Sequence, residues 1–334
     1  MTQGRARAFI TGISGQDGSY LAERLISDGV EVHALANIHE PLPAAPGVEL
    51  HPGDLTDIDG IRRLVVDLAP DEIYNLAALS SVAQSWEQPD LTARLNGAAA
   101  VALMESAWQA QQRSGRLIRF VQASSAEIFG EPDRSPQDEA TTVRPINPYG
   151  AAKAFAHLGA HVYRQRGLHA VGVILYNHES PRRPRHFVTR KITSTVAEIA
   201  AGRAETLTLG NLDARRDWGW APDYVDAMVR AARSDAAADF VIATGISHSV
   251  RDFVAAAFTH AGIADWEGRV EVDQALVRPA DATELVGDAS RARTQLDWTP
   301  TTTFAELVGR MVDADLLEPG LEELGAQSAS SPIR

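Results

Sequence analysis

The segment TGISGQDGSY, Thr11–Tyr20, joins an apolar run to an amphipathic one near the start of the chain. Its glycines, Gly12, Gly15 and Gly18, are spaced as GxxGxxG, a variant of the dinucleotide-binding fingerprint. Glycines there permit a tight turn and let backbone N–H groups approach a pyrophosphate at a helix N-terminus. A glycine-rich turn without a ligand is the alternative. The strand that RAFIT predicts before it and the helix that SYLAERLISDG predicts after it favour a bound dinucleotide.

The rest of the first half repeats this order of strand and helix. Strands are predicted by EVHAL, EIYNLAA, LIRFVQA and AVGVILY, and helices by DIDGIRRLVVDLAP, LTARLNGAAAVALMESAWQAQ and YGAAKAFAHLGAHVYRQRG. Such alternation is typical of a parallel sheet with helices on both faces. We therefore predict an α/β protein with a Rossmann-type doubly wound parallel sheet.

The pattern changes after about Asn177. A basic, proline-bearing loop, HESPRRPRH, is followed by a helix and then by a mixture of short strands and helices. This change predicts a smaller mixed α/β C-terminal lobe. We expect a dinucleotide-binding Rossmann domain at 1–180 and a lobe mainly for substrate at 181–320. Some segments of that lobe would return to the Rossmann sheet, and a polar tail would follow at 321–334.

Composition restricts the possible functions. The chain has 334 residues and a formal net charge of −13, whereas a nucleic-acid-binding surface needs positive charge. The absence of cysteine excludes thiolate nucleophiles and cysteine-based metal sites, and we predict no metal site. No apolar stretch is long enough to span a bilayer, and the N-terminus lacks the apolar core of a signal peptide. We therefore expect a cytoplasmic protein with no nucleic-acid or membrane partner.

The end of the second predicted strand bears on the type of dinucleotide. An acid there would hold the ribose hydroxyls of NAD, and an arginine would accept the 2′-phosphate of NADP. Ala36 and Asn37 occupy this position, so the sequence leaves NAD and NADP open. Asp54, after the third predicted strand, could hold the adenine amino group. Without a ligand it would belong to the N-cap region of the next helix, and the two roles are compatible.

Tyr149 and Lys153, in NPYGAAK, are four residues apart and therefore share a helix face. Tyrosine has an ordinary pKa near 10, which makes it a poor base at neutral pH. A neighbouring ammonium stabilises the phenolate, and the pair can then remove a proton from a sugar hydroxyl while hydride leaves the same carbon for a nicotinamide. A surface pair without function is the alternative. The pair is weak evidence alone and strong evidence after the glycine-rich turn.

Glu127 lies in SSAEIFG, directly after the predicted strand LIRFVQA. Ligands of open α/β sheets bind at the carboxyl ends of the strands. A carboxylate at that place is either a catalytic acid or base, or a solvated loop residue.

Several stretches now resemble a known family. The chain looks like an extended short-chain dehydrogenase/reductase, and within that superfamily it resembles the GDP-mannose 4,6-dehydratases. The resemblance rests on TGISGQDGSYLAE, PDEIYNLAALSSV, QASSAEIFG, NPYGAAKA, YNHESPRR, FVTRKI, LGNLDARRDWG, DYVDAM and ELVGDASRA. These stretches cover nearly the whole chain, and NHESPRR, FVTRKI and RDWG are much more specific than the superfamily motifs.

The resemblance implies a reaction and roles for four residues. The family oxidises C4 of the hexose, eliminates water across C5 and C6, and returns the hydride to C6. By resemblance Tyr149 acts at the C4 hydroxyl with Lys153 as its partner, and Glu127 takes the C5 proton. Ser125 matches a position where the family usually has threonine. Simple epimerases and reductases of this superfamily do not need an acid at the position of Glu127, whereas a dehydratase does.

The resemblance also implies binding residues. The predicted cofactor, NADP or NAD, would contact Gly12, Ile13, Ser14, Gly15, Gln16, Asp17, Gly18, Asn37, Asp54, Leu55, Leu76, Ala77, Ala78, Ser80, Tyr149, Lys153, His178 and Arg183. The GDP-sugar substrate would contact Ser80, Ser125, Glu127, Asn177, Val188, Lys191, Arg216 and Arg278. Arginine is suited to gripping the diphosphate because its guanidinium binds phosphate oxygens in a bidentate manner.

The chain departs from the family pattern after the second strand. HALANIHEPLPAAPG lacks the usual pair of arginines that bind the NADP 2′-phosphate and help join two dimers into a tetramer. We therefore predict a weaker preference for NADP and a homodimer rather than a tetramer. The dimer would form through two long helices, LTARLNGAAAVALMESAWQAQ and the helix that carries Tyr149, as is common in the superfamily.

The sequence leaves other functions on the same fold open. The chain could act on another GDP-sugar, such as a GDP-manno-heptose, or be an epimerase or a 4-ketoreductase. A cofactor-binding regulator without catalysis is a different class, but such proteins typically lose the tyrosine or the lysine, and both are present here.

Overall fold

The computed structural model describes residues 5–38, 45–277, 280 and 282–317. Three predictions fall wholly or partly outside this part of the chain. They concern Arg278, the polar tail at 321–334 and residues 39–44 of the segment after the second strand. Among the described residues, no helix combines the length and the apolar character needed to cross a bilayer.

The element order follows the predicted alternation. The strands are β1 (Arg7–Thr11), β2 (Glu31–Asn37), β3 (Val48–Gly53), β4 (Glu72–Asn75), β5 (Arg119–Ser125), β6 (His169–Leu175), β7 (Asn177–Glu179), β8 (Leu207–Leu209), β9 (Arg215–Trp220), β10 (Asp239–Ile242), β11 (Ser247–Ser249), β12 (Val270–Val272) and β13 (Glu284–Leu285). The α-helices are α1 (Gln16–Ser27), α2 (Ile58–Leu68), α3 (Val82–Glu87), α4 (Pro89–Thr92), α5 (Ala99–Ser114), α6 (Pro148–Gln165), α7 (Val188–Ala200), α8 (Ala221–Ala232), α9 (Val250–His260), α10 (Ser290–Leu296) and α11 (Phe304–Leu317). Short 3₁₀ turns lie at Ala126–Ile128, Glu267–Arg269 and Gln274–Leu276.

The main sheet has seven strands in the order β10-β6-β5-β4-β1-β2-β3, and every pair in it is parallel. Its central strands are nearly continuous buried apolar runs, as expected for a parallel sheet that helices cover on both faces. The order reverses beside β1, which is the switch point of a Rossmann sheet. The predicted fold class is confirmed.

Two apolar cores lie on the two faces of this sheet. One contains Leu21 and Leu25 of α1 together with Met228 of α8. The other contains Val65 of α2 and Leu103 of α5. Each helix buries one face against the sheet, and the two cores therefore fix the helices on the sheet. Polar residues lie outside these cores, at the carboxyl ends of the strands.

The long helix predicted over LTARLNGAAAVALMESAWQAQ runs without a break but is not α-helical throughout. It consists of α4, a π-helical segment at Ala93–Ala98 and α5. Asn96 in the π segment is buried, and its amide both donates to the Leu79 carbonyl at 2.9 Å and accepts from the Leu79 N–H at 2.8 Å. The wider turn thus brings a side chain to the loop after β4, and π-bulges are frequent at functional sites.

Contacts within the chain define two compact units. The first comprises the described residues of Met1–His178, Arg215–Ser247 and Arg278–Thr301, and it contains the seven-stranded sheet. The second comprises those of Glu179–Ala214, His248–Val277 and Thr302–Arg334. In the second unit α7, α9 and α11 pack on one another, and a buried ion pair joins Arg190 to Asp315 at 2.9 Å. The domain boundaries expected from the sequence, 1–180 and 181–320, stay a prediction.

Candidate active site

The glycine-rich turn between β1 and α1 has the backbone geometry that the fingerprint requires. Gly12 has φ +81°, a backbone conformation that residues other than glycine adopt only at an energetic cost. A Cβ on Gly18 would lie 2.2 Å from the Gly12 carbonyl oxygen, so the first turn of α1 packs directly on this loop. Gly15 is the N-cap of α1 and offers no capping side chain. The turn therefore fits a phosphate group approaching the helix N-terminus.

The loop after β4 lies beside this turn. The Thr11 hydroxyl donates to Asn75 Oδ1 at 2.7 Å and accepts from the Ala77 N–H at 3.2 Å. A Cβ on Gly12 would lie 2.8 Å from the Ala77 nitrogen. The structure thus brings two groups of predicted cofactor residues together. They are Gly12, Ile13, Ser14 and Gly15 after β1, and Leu76, Ala77, Ala78 and Ser80 after β4.

The start of α1 is also tied to the end of β6. Asp17 Oδ2 lies 2.8 Å from His178 Nε2, and Gln16 Nε2 donates to the His178 carbonyl at 3.1 Å. His178 Nδ1 lies 2.7 Å from the Tyr176 carbonyl oxygen and must donate to it. Both ring nitrogens of His178 therefore engage protein groups, which indicates that this predicted cofactor residue also holds the glycine-rich turn in place.

The ends of β2 and β3 carry Asn37, Asp54 and Leu55. Asn37 is exposed, and Leu55 is buried. Asp54 Oδ1 accepts from the Thr56 N–H and from the Thr56 hydroxyl, both at 2.8 Å. The N-cap of α2 is Asp57, which accepts from the Gly60 N–H at 3.0 Å. Asp54 thus shapes the turn before the helix and is not its cap.

Glu127 lies in the 3₁₀ turn that follows β5. The Ser125 hydroxyl caps this turn by accepting from the Glu127 N–H at 3.2 Å. One carboxylate oxygen of Glu127 accepts from Asn147 Nδ2 at 2.8 Å. Both Ser125 and Glu127 are half-buried, so the carboxylate is held by the protein and is still accessible. The interpretation of Glu127 as a freely solvated loop residue does not fit this geometry.

The start of α6 is packed against the Glu127 turn. A Cβ on Gly150 would lie 2.4 Å from the Glu127 carbonyl oxygen, so only glycine permits this approach. Asn147 is the N-cap of α6 and accepts from the Gly150 N–H at 2.7 Å, while its amide nitrogen donates to Glu127. One side chain therefore fixes both the helix that carries Tyr149 and the carboxylate.

Tyr149 and Lys153 share one face of α6, as predicted. Lys153 Nζ lies 5.8 Å from the centroid of the Tyr149 ring and donates to the Ala123 carbonyl at 2.9 Å. The Tyr149 N–H donates to the buried hydroxyl of Ser85 at 3.2 Å. Burial lowers the pKa of Lys153 to about 8, and the negative charge of Asp17 partly opposes this shift. The ammonium is thus held near the phenol in a dry place, where its effect on the phenolate is strong.

The predicted substrate residues are spread over both units. In the first unit, Asn177 is half-buried, and Arg216 donates from Nη1 to the carbonyls of Arg215 and Ala282 at 2.7 and 2.9 Å. In the second unit, Val188 and Lys191 lie at the start of α7. Arg183, a predicted cofactor residue, belongs to the same unit, where it stacks on Phe187 and lies 3.3 Å from the carboxylate of Glu179.

Two residues that position the site were not predicted from the sequence. Asn147 could have been found, because an asparagine directly before Pro148 at a predicted helix start is a typical N-cap. Its second bond, to Glu127, depends on tertiary contact and carries no local signal. Asn96 could not have been found, because its role depends on the π-helical segment.

A sequence model of the GDP-mannose 4,6 dehydratase family matches residues 9–311. The chain belongs to this family. The protein named GDP-mannose 4,6 dehydratase 1 from Arabidopsis thaliana is 42% identical over 332 residues, which cover 93% of this chain and 90% of that protein.

Solved structures share the fold. The UDP-glucose 4-epimerase of Thermus thermophilus, in complex with NAD, matches with a TM-score of 0.80 and 29% identity, covering 92% of this chain and 98% of that one. The structure named RMD from Pseudomonas aeruginosa, complexed with NADPH, matches with a TM-score of 0.77 and 22% identity, covering 93% and 99%. At that identity the second match supports the fold alone.

Proposed function

We propose that this family member converts GDP-mannose to GDP-4-keto-6-deoxymannose by losing one water. The observation that carries the proposal is the arrangement around Asn147, which places the Glu127 carboxylate directly beside the start of the helix that bears Tyr149 and Lys153. A dehydratase needs a base for C5 in addition to the pair that acts at C4. Family membership supports the same substrate and reaction.

A nicotinamide dinucleotide is the cofactor of this proposal. The glycine-rich turn fits its pyrophosphate, and the related epimerase of known structure was solved with NAD. When bound, the nicotinamide would accept hydride from C4 and return it to C6, so that the reaction needs no net oxidant. Family resemblance favours NADP, whereas the absence of the two arginines after β2 favours NAD.

Tyr149 and Lys153 act at C4. The Tyr149 phenolate takes the proton of the C4 hydroxyl as the hydride leaves that carbon. The buried ammonium of Lys153 stabilises the phenolate, and its bond to the Ala123 carbonyl fixes its position at the end of β5. The ketone formed at C4 makes the C5 proton acidic enough for a carboxylate base.

Glu127 and Ser125 act at the elimination. Glu127 takes the C5 proton, the electron pair of the C5–H bond forms the C5=C6 double bond, and the C6–O bond breaks as the departing hydroxide takes that proton from Glu127 and leaves as water. When hydride returns to C6, C5 takes up one proton from solvent, and Tyr149 releases the proton of the C4 hydroxyl to solvent. Asn147 holds one carboxylate oxygen of Glu127, which keeps the other oriented for this transfer. The Ser125 hydroxyl, adjacent to the base, would orient the sugar.

The decisive experiment follows the mass of the sugar nucleotide. Purified protein is incubated with GDP-mannose, first without added cofactor and then with NAD or NADP. The expected product is lighter by one water. An epimerase would leave the mass unchanged, and a 4-ketoreductase would need a reduced cofactor. No mass change under any of these conditions would overturn the proposal. GDP-manno-heptose in a parallel reaction tests the other GDP-sugar.

We further propose that the protein is a homodimer through α6. Phe155, Leu158 and Val162 project from one side of this helix, and their exposures are 55%, 53% and 55%. Three large apolar side chains at i, i+3 and i+7 form a stripe suited to self-association by a two-fold interface. Phe155→Glu combined with Leu158→Glu should yield a monomer in sedimentation experiments. Ile246→Glu, at a residue 61% exposed elsewhere on the first unit, is the control and should leave a dimer.

A further inference from the structure

Two histidines and a glutamate meet at the open edge of the main sheet. His33 lies on β2, and Glu49 and His51 lie on the edge strand β3. In the strand register His33 is paired with Glu49, and His51 is the next residue of β3 on the same face. The ligand atoms of the three side chains all lie within 4.8 Å of one another. Local sequence carries no signal of this cluster, because it forms only through the pairing of β2 with β3.

From this cluster we propose a binding site for a transition-metal dication, with Zn²⁺ as the best fit, at the edge formed by β2 and β3. The distances are 3.0 Å from His33 Nδ1 to His51 Nε2, 3.6 Å from His33 Nδ1 to Glu49 Oε2, and 3.8 Å from His51 Nε2 to Glu49 Oε1. Ligands about 2.0–2.1 Å from a tetrahedral zinc are about 3.3 Å apart. Small side-chain rotations therefore convert the cluster to a ligand set.

The proton arrangement favours a metal at this place. His33 Nε2 lies 3.0 Å from Glu31 Oε1 and, as the partner of a carboxylate, carries a hydrogen. In neutral His33 the Nδ1 lone pair then points into the cluster. A carboxylate that orients a histidine in this way is the usual support of a histidine bound to zinc. Since His33 is only 3% exposed, its ring is held ready for binding.

The edge position provides access and determines the role of the metal. The side chain of Glu49 is 65% exposed, and that of His51 is 23% exposed, so an ion can enter from solvent. β2 is separated from β5, which leads to Glu127, by β1 and β4. Three strand spacings amount to about 14 Å. The metal would therefore fasten the edge strand to the sheet and take no part in the reaction.

The chemistry of the ligands selects the metal. Two imidazole nitrogens and one carboxylate suit Zn²⁺, Cu²⁺, Ni²⁺ and Co²⁺, whereas Mg²⁺ and Ca²⁺ prefer oxygen ligands. A metal that binds the folded chain and not the unfolded one raises the melting temperature. Zinc should thus stabilise the protein, and magnesium should not.

Calorimetric titration of Zn²⁺ into the untagged full-length protein, after removal of metal with a chelator, tests the proposal. We expect one zinc per chain, and the visible absorption of a tetrahedral centre when Co²⁺ is used instead. Glu49→Gln and His51→Gln should each weaken binding roughly tenfold or more, and Glu31→Gln by a similar factor through the orientation of His33. His260→Gln alters another histidine that is paired with a carboxylate, Asp313, and should have no effect.

Two results would overturn the site. One is the absence of saturable zinc binding, which would leave His33 and His51 as a simple hydrogen-bonded pair. The other is binding that the Glu49 and His51 substitutions leave unchanged. Glu49 is exposed enough that its substitution should not prevent folding, and circular dichroism of each variant checks this. A rise in melting temperature with Zn²⁺ that is lost in Glu49→Gln would support the site independently.

Discussion

Two regions at the carboxyl ends of the main-sheet strands differ in how tightly neighbouring residues hold their side chains. At the end of β5, Glu127 accepts from Asn147, and Gly150 permits direct backbone contact. At the end of β2, Asn37 is exposed, and the chain lacks the arginines usual in the family. In the proposed mechanism the first region moves protons, which requires positions accurate to a fraction of an ångström. The second would contact only the far end of a cofactor, where a change alters affinity and leaves the chemistry intact.

Substitution of the base should produce the largest effect. Glu127→Gln removes the carboxylate and keeps the shape and the possibility of a bond to Asn147. We expect kcat for water loss to fall by roughly 10²–10⁴-fold, which is the usual contribution of a general base to the rate. Mass spectrometry of the sugar nucleotide measures this loss. Transient reduction of the cofactor, followed by absorbance, should persist, because oxidation at C4 does not need Glu127. A variant that still dehydrates at the normal rate would remove Glu127 from the mechanism.

Substitution of the residue that positions Glu127 should have a smaller effect. Asn147→Asp keeps an oxygen that can accept from the Gly150 N–H, and it replaces the amide donor to Glu127 by a negative charge. We expect kcat to fall about tenfold with little change in KM, because the base is displaced and substrate contacts are kept. Asn147→Ala, which loses both bonds, is the comparison. If Asn147 only caps the helix, the aspartate variant should keep full activity and the alanine variant should lose stability alone.

The sequence predicts site residues that lie in local motifs better than features that depend on tertiary contacts. Glu127, Tyr149 and Lys153 belong to short motifs whose spacing sets their geometry, since a strand end and one helix turn are local structures. The sequence pattern predicts the long helix before β5 but not its π-helical segment at Ala93–Ala98, because that segment coincides with a tertiary contact, that of Asn96 with Leu79. No local pattern predicts the histidine and glutamate cluster of β2 and β3, because strand register is a tertiary property.

The pH dependence of catalysis separates the chemistry of the first region from its stability. Burial lowers the pKa of Lys153 from 10.5 to about 8 in the folded chain. We expect kcat to fall as pH rises through about 8, because the neutral amine no longer stabilises the Tyr149 phenolate. Between pH 8 and 10.5 the unfolded chain binds the extra proton, so the contribution of Lys153 to the free energy of unfolding rises with pH over that range.

The expected pH dependences of kcat and of the Lys153 contribution to the free energy of unfolding have opposite signs, so an experiment can distinguish them. Activity should decline above about pH 8 while the contribution of Lys153 to stability increases. Thermal melts of the wild type and Lys153→Met across this range measure the second trend. A decline of activity that follows a loss of folded protein would contradict this account. An activity profile that stays flat to about pH 10 would also contradict it.

Substitutions at the end of β2 should have the smallest effect and complete the comparison. Asn37→Arg places a guanidinium where the 2′-phosphate of NADP would be bound. An exposed charge pair contributes up to about 1 kcal/mol, so we expect affinity for NADP over NAD to rise roughly fivefold. Asn37→Asp should shift the preference towards NAD by a similar factor, because the carboxylate accepts from the ribose hydroxyls and repels the phosphate. Fluorescence titration with each cofactor measures both.

The rate of dehydration at saturating cofactor is the critical readout for the Asn37 variants. If the end of β2 contributes only binding energy, kcat with GDP-mannose should stay within about twofold of wild type in both variants, since that energy is the same in the ground and transition states. A roughly tenfold fall in kcat would show that the far end of the cofactor controls the position of the nicotinamide. The two regions would then be coupled, and the absence of the arginines after β2 would have to be compensated by changes near Glu127.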